Sequence, residues 1–166
     1  MELNQLKGEC LETEIGTPKD DFTWAKHALH SWLEVECKKK DIRLGWLRMF
    51  YVYGPRQRPE SLVPNILNHL KEGKLPKLRT PHNSNDFVYV DDVTDVMKKS
   101  MKKLQKENIC KNFNLGTGHS IKIDLLFNII KKITQSNPKL IRKKLEKHDP
   151  KKSSSTSNRL NNFLNL

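Results

Sequence analysis

Long apolar runs are absent from this sequence. None approaches the ~18 apolar residues that a bilayer-spanning helix needs, so no membrane segment is expected. The first residues, Met1-Glu2-Leu3-Asn4-Gln5, also lack the basic-then-apolar pattern of a signal peptide. Cysteine is scarce and odd in number. Cys10, Cys37 and Cys110 lie far apart with no Cys-x-x-Cys pair, and they read as reduced thiols of a cytoplasmic protein. Seven glycines are present, yet none form a Gly-x-x-Gly-x-x-Gly turn of the kind that cradles a pyrophosphate at a helix start. Gly116-Thr117-Gly118 has no third glycine and reads as a plain turn. A Gly-x-Ser-x-Gly elbow is missing too, which excludes that serine-hydrolase arrangement. His27, His30 and Glu34 share one predicted helix, but zinc takes three or four converging ligands and no further cluster supplies them; no metal site is expected.

What the chain does have is positive charge, a formal +12 over 166 residues. Many of the lysines come as pairs on predicted helices: Lys98-Lys99, Lys102-Lys103, Lys131-Lys132 and Lys143-Lys144. Such pairs form solvated faces. No aromatics interleave with them, so base stacking has no platform and nucleic acid is not the expected partner. Apolar residues make up only 36% of the chain. They cluster at regular spacings, so a core is still possible.

Helices and strands alternate along the sequence. Residues 1–17 read as loop. Pro18 and Asp20-Asp21 offer a helix start, with the acids at the positive end of the helix dipole. Phe22, Ala25, Leu29, Trp32 and Leu33 follow at helical spacing to about Lys40. Trp24, Trp32 and Trp46 are expected in the core or in a cleft wall. Residues 42–50 read as a strand buried on at least one side. Pro64 fits the first turn of a helix that ends near Glu72-Gly73. Asp86 to Val90 reads as a strand, and Asp91 or Asp92 then caps a helix with the stripe Val93, Val96, Met97, Met101 and Leu104. Phe113-Asn114-Leu115 is a short strand, and Ile121 to Gln135 is a last helix. Beyond Ser136 the pattern fades, and residues 150–158 are low in complexity. The alternation predicts an α/β fold.

Four segments carry a resemblance. Pro18 leads into Phe22-Thr23-Trp24-Ala25-Lys26. Leu47-Arg48 is followed by Tyr53-Gly54-Pro55-Arg56-Gln57. Then come Asp86-Phe87-Val88-Tyr89-Val90-Asp91-Asp92-Val93 and Phe113-Asn114-Leu115-Gly116-Thr117-Gly118. In this order, over residues 18–127, they resemble the NAD-dependent epimerase/dehydratase family of extended short-chain dehydrogenases/reductases. The resemblance implies the C-terminal part of a Rossmann-like doubly wound fold with its small substrate-binding α/β subdomain. It also implies NAD or NADP as cofactor, a nucleoside-diphosphate sugar as substrate, a role in polysaccharide precursors, and a homodimer. Lys26 takes the place of the lysine of the family's Tyr-x-x-x-Lys helix, which holds the nicotinamide ribose and lowers the tyrosine pKa. Lys26, Phe50 and Tyr53 would face the cofactor. Tyr51, Arg56, Arg58, Asn85 and Tyr89 would face the substrate, with the nucleotide pocket within residues 61–89.

The departures are specific. Phe22 stands at the tyrosine position and cannot move a proton. Tyr51 replaces an asparagine near the substrate diphosphate, and Asn85 replaces an arginine that grips a phosphate. Arg56, Arg58 or Arg79 could restore that charge, and Thr23 or Tyr53 a hydroxyl. The glycine-rich half of the family is missing, so an N-terminal half is an expected partner, and the chain alone is expected to be inactive. Without that half, the strand at 42–50 and the helix at 22–40 should be partly uncovered. The organisation expected is a loop at 1–17, a partial epimerase/dehydratase domain at 18–136 and a basic, Ser/Asn-rich segment at 137–166. The alternatives are a non-catalytic remnant or partner-binding fragment of the same family, and a basic nucleic-acid-binding module.

Overall fold

The computed structural model describes residues 10–106 and 110–136; the expected Ser/Asn-rich segment at 137–166 lies outside them. Four helices and five strands alternate: α1 (Asp21–Lys39), β1 (Leu44–Met49), β2 (Tyr51–Tyr53), α2 (Leu62–Lys71), β3 (Ser84–Tyr89), α3 (Val90–Leu104), β4 (Cys110–Leu115), β5 (Ser120–Lys122) and α4 (Ile123–Ser136). The α/β class expected from the pattern is what forms.

The strands make two small sheets. β1 pairs in parallel with β4, with Arg48 opposite Asn114. In the second sheet β3 is central, parallel to β2 and antiparallel to β5. Parallel neighbours need a crossover, and α2 and α3 supply the helices for it. The β2–β3 pair separates two cores. Val52 and Val88 point to one side, where Val93 of α3 and Phe113 and Leu115 of β4 bury them. Tyr53, Phe87 and Tyr89 point to the other, against Val63 and Ile66 of α2 and Leu126 and Ile130 of α4. Side chains alternate across a strand, so one three-residue strand serves both cores.

Local chemistry sets the helix starts. Asp20 caps α1: its carboxylate accepts from Thr23 N at 2.7 Å, and the Thr23 hydroxyl accepts from Asp20 N. This is a reciprocal capping box. α3 begins two or three residues earlier than expected, with Tyr89 rather than Asp91 or Asp92 at the cap position. Asp91 and Asp92 sit inside the first turn, where their charge suits the dipole. β2 and β5, three residues each, carry no periodicity to read and were not expected. In α3, Val93 is buried as expected, while Met97 and Met101 are exposed.

α1 is inside out. Thr23 and Cys37 are its buried residues, while Phe22, Trp24, Leu29, Trp32 and Val35 are exposed. Trp24 and Trp32, expected in core or cleft wall, are 65% and 58% exposed. The spacing fixed the stripe but could not say what it faces. Trp46 alone of the three is covered in part, stacked on His30 with centroids 4.5 Å apart. Among the described residues β1 pairs only with β4, so its other edge is open.

Candidate functional site

The first part of the site is the start of α1. Lys26 follows Phe22 by one turn, and its Nζ stands 4.3 Å from the Phe22 ring centroid. The ring offers the ammonium a π face and no proton. Thr23 is no substitute. Its hydroxyl donates toward Asp20 O and Oδ1 and accepts from Lys19 N and Asp20 N, so the cap consumes it. The signal was in the sequence, since Asp20 and Thr23 have capping-box spacing.

The second part is an aromatic wall. Register pairs Tyr51 with Phe87 and Tyr53 with Tyr89. Each pair has ring centroids 5.4 Å apart, the second edge to face. Tyr53 is buried in the α2–α4 core, whereas Tyr51 is partly exposed. At the Tyr51–Phe87 end a cavity of about 240 Å³ opens. Gln57 from the loop and Ser61, Leu62 and Val63 from the start of α2 complete its lining, and no charged residue lines it. Gln57 Nε2 donates to Val52 O at 3.1 Å, while Gln57 Oε1 is buried without a hydrogen-bond partner.

The expected site residues therefore divide. Tyr51 and Tyr53 line the cavity. Asn85 and Tyr89 lie on β3, two residues either side of Phe87 and so on its face, but outside the lining. Arg56 and Arg58 are exposed on either side of Gln57, and Arg56 has a positive φ of 64°. Phe50 bridges β1 and β2, its N–H donating to Leu115 O. Gln57 and Phe87 were part of the resembling segments and Ser61 of the expected pocket at 61–89, but none was named as a site residue. Phe87 could have been, because it alternates with Tyr89 as Tyr51 does with Tyr53.

The glycine turn is already occupied. The Asp86 carboxylate accepts from Thr117 N, Thr117 Oγ1 and Gly118 N at 2.9, 2.6 and 2.8 Å. A Cβ on Gly116 would run into Asp86 Oδ2. These N–H groups hold a carboxylate of the chain itself and leave no cradle for a pyrophosphate. The described residues thus do not fit a whole dinucleotide.

A clamp ties the entry to α1 onto the sheet. Arg48 donates to Asn114 Oδ1, Glu14 O and Leu11 O at 2.9, 2.7 and 2.9 Å. Asn114 Nδ2 donates to Cys10 O, and Glu12 Oε1 accepts from Asn114 N. Burial first, then the nearby Glu14 carboxylate, pushes the Cys10 thiol above its usual range, while Arg48 opposes the shift. Among the described residues no group of three His, Cys, Asp or Glu side chains could hold a metal ion, and no helix is long and apolar enough to cross a membrane.

Comparison with known proteins gives this arrangement a context. The model of the NAD dependent epimerase/dehydratase family matches residues 3–116. A CDP-abequose synthase of Salmonella muenchen is 31% identical over 101 residues, covering 57% of this chain and 32% of that protein. The structure of a UDP-glucose 4-epimerase from Thermotoga maritima with UDP-glucose is 29% identical with a TM-score of 0.70, covering 79% of this chain and 43% of that one. A dTDP-glucose 4,6-dehydratase from Bacillus anthracis in complex with NAD shares the fold, with a TM-score of 0.75 at 19% identity, over 96% of this chain and 50% of that one. The chain spans half or less of the length of each of these relatives.

Proposed function

The chain belongs to the NAD-dependent epimerase/dehydratase family, and on that footing we propose that it is the substrate-binding portion of an enzyme acting on a nucleoside-diphosphate sugar. The cavity at the Tyr51–Phe87 end of the aromatic wall carries this reading, because it offers a concave site where aromatic and aliphatic side chains meet the polar groups of Gln57 and Ser61. The similar CDP-abequose synthase and UDP-glucose 4-epimerase support the substrate class. Lys26 would meet the nicotinamide ribose of NAD or NADP. A cofactor-binding portion, in the same polypeptide or a separate one, would hold the rest. The open edge of β1 and the uncovered apolar face of α1 are where such a portion would dock. A cytoplasmic location, a homodimer and a place in polysaccharide-precursor synthesis belong to the same proposal.

Calorimetric titration of the chain with UDP-, CDP- and dTDP-sugars tests it. Saturable binding of at least one is expected. A folded chain that binds none of them would end the reading.

Phe22 favours a second reading, a non-catalytic partner-binding fragment of the same family. The residue at the proton-transfer position has no hydroxyl, and Thr23 is committed to the cap. Phe22→Tyr combined with a separately produced cofactor-binding portion separates the two. Rescued turnover supports the split or truncated enzyme; docking without turnover supports the fragment.

A further inference from the structure

The parallel β1–β4 pair brings two helix ends together. α1 ends at Lys39, just before β1, and α3 ends at Leu104, before β4; the two strands start side by side, with Leu44 opposite Cys110. Two contacts fix this end. Leu104 lies over Gly45, where an added Cβ would meet its Cδ1 at 2.9 Å. Ile42 N donates to Cys37 O at 2.8 Å and turns the chain from α1 toward β1. Lys26 at the start of α1 and Tyr51 after β1 lie at the other end of the sheet.

Cations crowd the end where the strands begin. Lys38, Arg43, Lys102, Lys106 and Lys111 are exposed there, and none has an ion-pair partner among the described residues. The acids are otherwise engaged or few. Glu34 stands 3.4 Å from His30, and Glu36 already holds Lys39 and Lys40 at 3.3 and 3.2 Å. Asp41, and Glu107 in the sequence between α3 and β4, offset only part of the excess. The helix dipole accounts for Lys38 and Lys102, which stand in last turns. It does not account for Arg43, Lys106 and Lys111, which lie past the helices or on a strand.

Apolar side chains stand among these charges. Ile42 is 52% exposed beside Arg43, and Met101 is 65% exposed beside Lys102. Along α3, Met97 and Met101 form one exposed row and Lys98 and Lys102 the next. These are aliphatic and thioether groups, not the aromatic platforms on which bases stack. Cations around short apolar side chains match a surface that is anionic outside and apolar just beneath. We propose that this end seats the chain on an anionic lipid bilayer, with Ile42 and Met101 in the headgroup layer and the cations on the lipid charges. Nothing crosses the bilayer, and Lys26 and the cavity face water. The proposal stands apart from the nucleotide-sugar reading, and neither needs the other.

The test floats the 166-residue chain with vesicles through a density gradient, so that self-associated protein stays at the bottom. Vesicles of about one-third phosphatidylserine in phosphatidylcholine are compared with phosphatidylcholine alone. The chain is expected to float with the anionic vesicles at low salt, to come off at high salt, and to stay down with the neutral ones. Each cation near an anionic surface strengthens binding roughly fivefold, so Arg43→Gln, Lys102→Gln and Lys106→Gln together should weaken it about a hundredfold. Lys77→Gln, Lys122→Gln and Lys132→Gln remove the same charge from exposed positions before β3, on β5 and on α4, and should cost less than about threefold. Met101→Ser should weaken binding about fivefold without changing its salt dependence. All these positions are exposed, so each variant should keep the parent's urea midpoint. Failure to float with anionic vesicles overturns the proposal, and so does equal weakening by the two triple variants. A single-stranded oligonucleotide bound through Arg43, Lys102 and Lys106, with vesicles unbound, assigns this end to nucleic acid and overturns it too.

Discussion

Lys26 and Phe22 face each other one turn apart at the start of α1, with Nζ 4.3 Å from the ring centroid. The two residues stand four apart in sequence, and the Phe22 ring carries no proton to transfer. A cation over an exposed aromatic face is worth about 0.5–1 kcal/mol. That is enough to hold the lysine over the ring and too little to make the pair a structural necessity.

Restoring the hydroxyl with Phe22→Tyr should therefore cost little. The ring is exposed, so stability should change by less than about 0.5 kcal/mol. The new phenol would sit beside the Lys26 ammonium, which favours the phenolate and lowers its pKa below the ordinary ~10. Ultraviolet difference titration of the variant against the parent isolates it from Tyr51, Tyr53 and Tyr89. A new phenol titrating at the ordinary value would mean that Lys26 does not govern that position.

The uncovered face of α1 makes a second prediction. Trp24 and Trp32 lie with Leu29 and Val35 on a helix that buries Thr23 and Cys37 instead. A contiguous apolar surface of this kind drives association. Sedimentation should show the isolated chain self-associating with concentration, and Trp24→Glu with Trp32→Lys should return it to a monomer. Because neither indole is buried, the unfolding free energy should stay within about 0.5 kcal/mol. A parent chain that stays monomeric across the concentration range would refute this.

Much of the fold was legible because helices of ten residues or more write their period into the sequence. α4 is the clear case: Leu126, Ile130 and Ile133 are buried at helical spacing. The three-residue strands β2 and β5 are shorter than any period and could not be read. The exposed face of α1 was legible as a stripe but not as an exposure, since period alone does not say what a stripe packs against. Of the site, Tyr51 and Tyr53 were found from their place in a motif. Gln57 stood in the same motif without a role, and Ser61 in none, because their unused hydrogen-bonding groups emerge only once the backbone has claimed its own partners. The Arg48–Asn114 clamp depends on the β1–β4 register, a relation between residues 66 apart in sequence.

That clamp should be a principal stabilising contact. Arg48→Ala removes three hydrogen bonds from a charged donor and leaves Asn114 Oδ1 without this partner. The expected loss is about 2–4 kcal/mol, discounted for the partly exposed guanidinium. Urea denaturation measures it. A double-mutant cycle with Asn114→Ala should show a coupling of at least about 0.5 kcal/mol. Strict additivity would mean the two side chains act independently.

Gly116 tests the glycine turn. An added Cβ meets Asp86 Oδ2 and comes within 3.1 Å of the Phe50 ring. Gly116→Ala must displace the carboxylate that holds Thr117 and Gly118, and should cost about 1–3 kcal/mol by overpacking. Amide exchange should speed up at Thr117 and Gly118 first. Unchanged exchange at both would show that Asp86 does not hold the turn.

Asp20 sets the acid limit of α1. The Thr23 backbone N–H, then the Thr23 hydroxyl, hold its carboxyl below the usual carboxylate value. With the folded pKa lower than the unfolded one, the contribution is fully present above the unfolded value of about 3.9. It fades as pH falls through the lowered folded value, because the unfolded chain takes up its proton first. Asp20→Asn keeps an acceptor at the cap but cannot titrate. The difference in stability between parent and variant should therefore be flat at neutral pH and shrink in favour of the variant below about pH 4. Other carboxylates titrate in the same range and cancel in the difference. A parent-minus-variant curve with no pH dependence between neutrality and about pH 2 would show that the charge on Asp20 contributes nothing to the cap.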